Sequence, residues 1–195
     1  FNLAMAAPDN HINEHLDTIL KGAWESNINN QSRWVIFSDL HMGDGSTKDD
    51  FKPNSELFQC ALRDYYLKRN YSLMLNGDVE ELQRFSLDVI LKNWNLVYKL
   101  FDAFANKNRL AKTYGNHDLQ LKVQKPPYDY KMSEACKLSY EGDHIFIYHG
   151  HQASKKYQLQ NDLVGFTLKY FANPLRIKDY SVSHSSKKQY KIEKR

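Results

Sequence analysis

The chain is poor in cysteine: among its 195 residues only Cys60 and Cys136 occur. Two cysteines cannot supply the disulfide framework of a small secreted domain, so we expect buried free thiols in a reducing compartment. The chain also lacks long apolar runs, and none approaches the roughly 20 residues of a transmembrane helix. These absences predict a cytoplasmic protein with neither a disulfide scaffold nor a membrane-spanning helix.

What is present is typical of a folded domain. Hydrophobic residues make up 42% of the chain and aromatic residues 13%, which argues against a disordered protein. The net charge is +4, but residues 176–195 hold seven basic and two acidic residues, a net of +5, so the rest sums to −1. We predict a domain over residues 1–175 followed by a basic segment over 176–195. That segment could attract anionic lipid or nucleotide phosphates, or simply be solvated.

Short apolar runs alternate with helical patterns, which predicts an α/β fold. Helices are expected over residues 9–24, 56–68 and 155–171, with most of 79–106 also helical; Leu57, Ala61, Leu62 and Tyr65 should face inward from the second helix. A short connection, Glu141-Gly142-Asp143, suits a tight hairpin between the runs Cys136–Tyr140 and His144–Tyr148. Four strand-like runs carry the argument about function: Trp34–Phe37, Leu73–Leu75, Leu110–Tyr114 and Ile145–Tyr148.

Each of these four runs is followed by side chains that bind hard metal ions. In chain order they are Asp39 and His41, then Asp78, then Asn116, His117 and Asp118, and finally His149. Ligands in an open α/β sheet collect at the carboxyl ends of the strands, so these residues are predicted to meet along one edge of one sheet. Carboxylate, imidazole and amide oxygen suit manganese, iron or zinc, and the absence of thiolates argues against a structural zinc site.

Four blocks in order resemble the signature of the calcineurin-like metallophosphoesterases: Asp39-x-His41, Gly77-Asp78, Gly115-Asn116-His117-Asp118 and His149. The resemblance implies a four-layer α/β/β/α sandwich with mixed sheets and two divalent cations, manganese first, with iron and zinc as alternatives. It implies that Asp39 and His41 hold the first cation, that Asp78 bridges both, and that Asn116 and His149 hold the second. His117 would face the phosphoryl group without binding a cation, oriented by Asp118.

The reaction implied by this resemblance is hydrolysis of a phosphate ester or pyrophosphate. Two cations about 3.5–4 Å apart would activate a hydroxide and neutralise the phosphoryl oxygens. Three blocks are similar to the UDP-2,3-diacylglucosamine hydrolase branch, which cleaves the pyrophosphate of a lipid A precursor: Ser38-Asp-Leu-His41, Gly77-Asp-Val-Glu80, and His149-Gly followed by Lys155-Lys-Tyr157. The usual members of that branch carry arginine where this chain has His117.

One part of the family pattern is missing. The family closes its site with a Gly-His-x-His block, and none follows His151. His184 lacks both the glycine and the second histidine of that block. We therefore expect the chain to be truncated before the closing block.

Several alternatives stay open from the sequence. The substrate is expected to be a phosphorylated small molecule or a lipid-linked nucleotide, with peripheral membrane contact as an option. A soluble nucleotide phosphodiesterase, a nuclease and a non-catalytic scaffold of the same fold are the rival functions; a nuclease is less favoured because the basic residues lie in the tail. The apolar stripe of residues 155–171 either packs on the domain or admits an acyl chain: Leu159, Leu163, Phe166 and Tyr170.

Four other histidines are expected to lie outside the predicted set of metal ligands. His11 and His15 are four residues apart, but without a third ligand they are expected to be surface residues. His144 is expected to be structural, and His151 either contacts substrate or lies on the surface.

Overall fold

The computed structural model describes residues 10–124 and 126–153, with side chains described from residue 13 onward. This part of the chain is a mixed α/β structure with two sheets and four helices, which confirms the α/β class. The helices are α1 (Asn10–Lys21), α2 (Ser55–Cys60), α3 (Leu87–Asn93) and α4 (Asn95–Ala105). The strands are β1 (Trp24–Asn27), β2 (Trp34–Phe37), β3 (Ser72–Asn76), β4 (Leu110–Thr113), β5 (Met132–Ser133), β6 (Ala135–Tyr140) and β7 (Asp143–Tyr148).

The first three predicted strands are confirmed and lie side by side in a four-stranded sheet. Its order is β2-β3-β4-β5, and every pairing is parallel. Phe37 pairs with Leu75, and Leu75 pairs with Lys112, so the carboxyl ends of β2, β3 and β4 are level. The polar residues after these strands therefore start from the same edge of the sheet.

The fourth predicted strand, β7, lies in the second sheet, whose order is β1-β6-β7. It forms the predicted hairpin with β6, and Glu141 and Gly142 at the turn have φ values of 48° and 94°. The prediction that all four strand ends share one sheet is therefore wrong. The end of β7 still reaches the same place, because the side-chain amide of Asn76 donates to the carbonyl of Tyr148 at 3.3 Å.

The four-stranded sheet has an apolar core on each face. On one face, Leu73 and Leu75 pack with helix residues such as Phe101 and Phe104 in the larger cluster. On the other, a small cluster joins the two sheets; its buried members are Met74, Ala111, Cys136 and Leu138. Alternation along β3 explains the division, because successive side chains of a strand point to opposite faces.

Two features of the predicted helices are wrong. Helix α1 ends at Lys21, and Trp24 lies in β1, beside Trp34 of β2 with ring centroids 6.0 Å apart. Leu57 and Tyr65 are 73% and 47% exposed, whereas Phe58 of α2 is buried. Leu62, in the π-helix over Ala61–Tyr66 that follows α2, is buried as predicted. Most of residues 79–106 is helical as predicted, in α3 and α4, although helix structure begins only at Leu87.

Two predicted segments, the amphipathic helix over 155–171 and the basic stretch over 176–195, lie outside the described residues. The two cysteines are free, as predicted, but only Cys136 is buried; Cys60 is exposed on α2. Among the described residues, no helix has both the length and the apolar character needed to cross a membrane.

Candidate metal centre

Sharp turns follow β2 and β3 and point polar side chains toward each other. Asp39, His41 and Asp78 have φ values of 57°, 49° and 51°, in the left-handed region that most side chains avoid. The turns are held together by backbone bonds, from Asp39 N to Gly77 O at 3.2 Å and from His41 N to Asp78 O at 2.9 Å. Left-handed residues with side chains are concentrated at functional sites, where the surrounding structure holds them in place.

Four of the predicted ligands lie in one cluster, in which two histidines contact the same two carboxylates, and the ligand atoms of Asp39, His41 and Asp78 all lie within 4.8 Å of one another. His41 Nε2 lies 3.9 Å from Asp39 Oδ1 and 3.9 Å from Asp78 Oδ2. His149 Nε2 lies 3.3 Å from Asp78 Oδ2 and 3.9 Å from Asp39 Oδ1. Two atoms that each bind one ion at about 2.0–2.2 Å are at most about 4.4 Å apart, so all four separations suit a divalent cation. The residues present therefore fit the metal that the sequence predicted.

The two imidazole rings are oriented by their other nitrogen atoms. His149 Nδ1 lies 2.8 Å from the carbonyl oxygen of Asn76, which can only accept, so Nδ1 carries the proton. His41 Nδ1 lies 3.0 Å from Glu81 Oε2. With Nδ1 held in this way, Nε2 of each ring faces the carboxylates. A hydrogen bond at the other ring nitrogen is how proteins commonly orient a metal-binding histidine.

Glu81 is a site residue that the sequence reasoning missed. Its carboxylate contacts two site histidines, with Oε1 2.8 Å from His117 Nδ1 and Oε2 3.0 Å from His41 Nδ1. Burial alone would raise the pKa of Glu81, but the hydrogen bonds with His117 and His41 outweigh it and lower the pKa to about 2. The available signal was a pair of acidic residues, Glu80 and Glu81, directly after the predicted bridging residue Asp78.

Asp118 has a different place from the one predicted. Its buried carboxylate accepts backbone N–H bonds from Val79 at 3.0 Å and Gly115 at 2.7 Å, so it ties together the turns after β3 and β4. Burial, reinforced by the nearby charge of Glu80 and opposed by Lys112, raises its pKa to about 6. The carboxylate at the His117 ring is that of Glu81, and this corrects the prediction that Asp118 orients His117.

The turn after β4 brings His117 to the cluster. Its backbone N–H donates to Asp78 Oδ1 at 2.8 Å, and its half-buried ring meets that of His41 edge-on, with centroids 4.8 Å apart. Asn116 is half-buried, and its carbonyl oxygen accepts from Gln83 Nε2 at 3.2 Å. Its position beside His117 puts Asn116 next to the cluster, and its role as a ligand stays a prediction.

Two glycines allow the turns to pack this closely. A side chain on Gly77, which has a φ of 75°, would place its Cβ 2.5 Å from His149 Nδ1 and 2.8 Å from Gly115 Cα. A Cβ on Gly115 would overlap the backbone nitrogen and Oδ1 of Asp78. The absence of side chains at both positions is therefore needed for the strand ends to meet.

The electrostatics of the cluster are those of a cation site. Burial would lower the pKa of His41, but Glu81, Asp78 and Asp39 outweigh it and raise the pKa. Burial would also lower the pKa of His149, but the hydrogen bond and the charge of Asp78 outweigh burial and raise this pKa to about 9. The carboxylates thus create a local field that favours positive charge, and titration shifts of this kind are concentrated at functional sites.

The remaining histidines divide between interior and surface. His151 is 8% exposed, so the surface alternative is wrong for it; burial and the nearby charge of His149 lower its pKa to about 4. His144 is exposed on β7 and contacts Ser139 Oγ at 3.1 Å, as a structural residue would. His15 is exposed as predicted, and the side chain of His11 lies outside the described part.

No family model matches this chain, and no curated protein matches it. The function is therefore inferred from the residues and geometry of the site.

Proposed function

We propose that the chain is a metal-dependent phosphoesterase that hydrolyses a phosphate ester or pyrophosphate. The observation that supports the proposal most is that His41 and His149 each place Nε2 within 3.3–3.9 Å of carboxylate oxygens of both Asp39 and Asp78. These residues come from three strand ends in two sheets. Nothing in the packing of an apolar core calls for two carboxylates and two imidazoles at such a point.

The donor set favours hard or intermediate divalent cations. Two carboxylates, two imidazoles and the amide of Asn116 suit manganese, with iron and zinc as alternatives. Two such cations would supply an activated water and would neutralise the charge on a phosphoryl group. Asp39 and His41 would hold the first, Asn116 and His149 the second, and Asp78, placed between both histidines, would be shared.

Side chains around the cations would orient the site and protonate the leaving oxygen. His117 lies beside His41 with its Nδ1 engaged by Glu81, which leaves Nε2 as the atom available to a substrate oxygen. From there it would stabilise or protonate the leaving oxygen. Glu81 would fix the orientation of both rings, and Asp118 would hold the backbone of the two turns that supply Asp78 and His117.

The proposed architecture is the four-layer sandwich of the calcineurin-like metallophosphoesterases. The contact between the two sheets through Met74 and Cys136, and the helices against Leu73 and Leu75, are consistent with its inner and outer layers. A non-catalytic scaffold with this fold is the rival proposal. The anchored tautomers of His41 and His149 favour the enzyme, because a scaffold has no need to orient ligand nitrogen atoms.

Metal content and turnover test the proposal together. Protein stripped with a chelator should bind about two equivalents of manganese and then hydrolyse bis(p-nitrophenyl) phosphate or p-nitrophenyl phosphate. A matched control is Asp64→Asn, which removes an exposed carboxylate on the π-helix, where it pairs with Arg63, and should change neither quantity. Absence of both metal uptake and turnover in the wild type would favour the scaffold.

The substrate is proposed to be a nucleotide pyrophosphate linked to a lipid, at a cytoplasmic or membrane-peripheral location. Binding energy from an acyl chain would appear as a higher kcat/KM for the acylated compound than for its deacylated form. Equal values would favour a soluble nucleotide phosphodiester, and faster turnover of single-stranded DNA would favour a nuclease. The variant Leu163→Asp adds a second comparison, since it should lower kcat/KM only for the acylated compound.

A further inference from the structure

A buried ion pair joins Glu80, the chain neighbour of the site residue Glu81, to Lys112 of β4. Glu80 is 0% exposed and Lys112 is 1% exposed, and their charged groups are in direct contact. Glu80 Oε1 accepts from the hydroxyls of Tyr98 at 2.8 Å and Tyr128 at 2.9 Å, and Lys112 Nζ donates to the hydroxyl of Tyr128 at 3.1 Å. Both charges are therefore paired and hydrogen-bonded inside the protein.

Stability alone is a poor explanation for such a pair. Taking two charges out of water costs several kcal/mol per ion, and apolar residues of similar volume often stabilise a core equally well or better. Lys112 stands in β4, whose four residues are all buried, among apolar neighbours of the larger core cluster. An apolar side chain would suit this place, so the ion pair needs another reason.

The position of Glu80 along the chain suggests that reason. On one side of it, the backbone N–H of Val79 donates to Asp118. On the other side, the carboxylate of Glu81 contacts both His41 and His117. The side chain of Glu80 thus contacts residues of the interior, whereas the side chain of Glu81 contacts residues of the candidate site.

The partner strand completes the connection. Lys112 is followed within a few residues by Gly115 and His117, which belong to the turn that meets Asp78. The ion pair therefore links the segment after β3 to the strand that leads into the turn after β4. We infer that the Lys112–Glu80 pair is a positioning device that fixes the segment 78–81, so that Glu81 holds the His41 and His117 rings in their site orientation.

The geometry can be tested without metal or substrate. In chelator-treated protein labelled with ¹⁵N-histidine, the Nδ1–H groups of His41 and His117 should give two slowly exchanging imidazole signals, because both donate to a buried carboxylate. The variant Lys112→Met with Glu80→Gln removes both charges while the new amide can still accept from the two tyrosines. We expect it to lose both signals; retention of both, with unchanged chemical shifts, would overturn the inference.

Two further variants separate positioning from folding. Lys137→Met breaks an exposed ion pair with Glu25 on the other sheet, at 2.7 Å, and should retain both signals. If the double variant does not fold, Tyr128→Phe removes only one hydroxyl from the pair and should speed exchange of both protons about fivefold, the worth of one hydrogen bond. Tyr140→Phe, which removes an exposed hydroxyl bonded to Asn30, is its control. Equal exchange rates in the two tyrosine variants would contradict the inference.

The consequence for metal binding rests on the proposed function. Mutation of residues that orient metal ligands commonly lowers metal affinity by about 10–100-fold, so the double variant should raise the Kd for manganese by that factor. A wild type that takes up none of manganese, iron and zinc would end the proposed function, while the imidazole signals would still decide the positioning role of the pair.

Discussion

At the scale of single residues, the site depends on backbone conformations that are unfavourable by themselves. Asp39, His41 and Asp78 all have positive φ, and each such residue costs on the order of 1–3 kcal/mol. Glycine adopts this conformation at the least cost, and asparagine, aspartate and histidine tolerate it better than other side chains do. The side chains that stand there are the predicted metal ligands, so the strain and the chemistry occur at the same three positions.

The substitution Asp78→Asn tests the charge of the central carboxylate. Asparagine tolerates positive φ, so the backbone should be retained while the negative charge is lost. We expect metal content to fall and hydrolysis to drop by about 100-fold or more, because an amide cannot neutralise two cations. Metal analysis and kcat/KM on an aryl phosphate ester measure the two effects. Normal values for both would remove Asp78 from the mechanism.

His117→Ala separates an acid–base role from a ligand role. The expected result is a loss of kcat of about 10²–10⁴-fold with metal content retained, because in the proposed mechanism the ring acts on substrate and not on the cations. His144→Ala, at an exposed position on β7, is the matched control and should leave both quantities unchanged. Loss of metal in step with activity would instead make His117 a ligand.

At the scale of elements, the sequence predicts those strands whose residues are apolar and whose partners follow in chain order. The runs that became β2, β3 and β4 are of this kind, and so is the hairpin, whose turn has its own signal at Gly142. Strand β1 was missed because its residues, Trp-Glu-Ser-Asn, show no apolar alternation, and its partner, Cys136, lies more than 100 residues away. Such pairing is decided by tertiary structure.

The same limit explains the part of the site that was missed. Ligand types at strand ends are visible in a sequence, since Asp39, Asp78 and His149 each follow an apolar run. The contact of Glu81 with two imidazoles arises only when the turns after three strands pack together, and no local pattern shows it.

The hairpin that carries His149 toward the site offers a prediction at this scale. Gly142 has a φ of 94° and open space around it, so Gly142→Ala should cost only backbone strain, about 1 kcal/mol. The melting temperature should fall by about 2–4 °C. Gly22→Ala, at the end of α1 with ordinary contacts and no positive φ, should be neutral or slightly stabilising. An equal drop for both variants would contradict the strain argument.

At the scale of the whole molecule, the candidate site is a junction between two sheets. Asp39, His41 and Asp78 follow strands of the parallel sheet, and His149 follows β7 of the other. Among the described residues, the apolar cluster between the sheets has four buried members, with four partly buried residues packed against them. A cation bound by ligands from both sheets would therefore act as a clamp, and its binding energy would add to the cohesion of the fold.

Thermal unfolding should report this clamp. Manganese at about 100 times its Kd would stabilise the folded state by about 2.7 kcal/mol, which corresponds to a rise in melting temperature of roughly 5–10 °C for a chain of this size. Calorimetry of chelator-treated protein with and without manganese measures the shift. Asp78→Asn should abolish the rise, and a wild type whose melting temperature ignores manganese would argue against a cation at the junction.

Cys136 provides a local probe of the same junction, because its thiol is buried in the small core between the sheets. Burial raises its pKa to about 12, so at pH 8 it is almost entirely the unreactive thiol, and alkylation requires the sheets to separate. In a Cys60→Ser variant, which removes the exposed cysteine, manganese at 100 times its Kd should slow iodoacetamide labelling of Cys136 about 100-fold, provided that the open form binds no metal. The Asp78→Asn variant should show no such protection. If the Cys60→Ser variant is labelled at the same rate with and without manganese, a bound cation is held by one sheet alone.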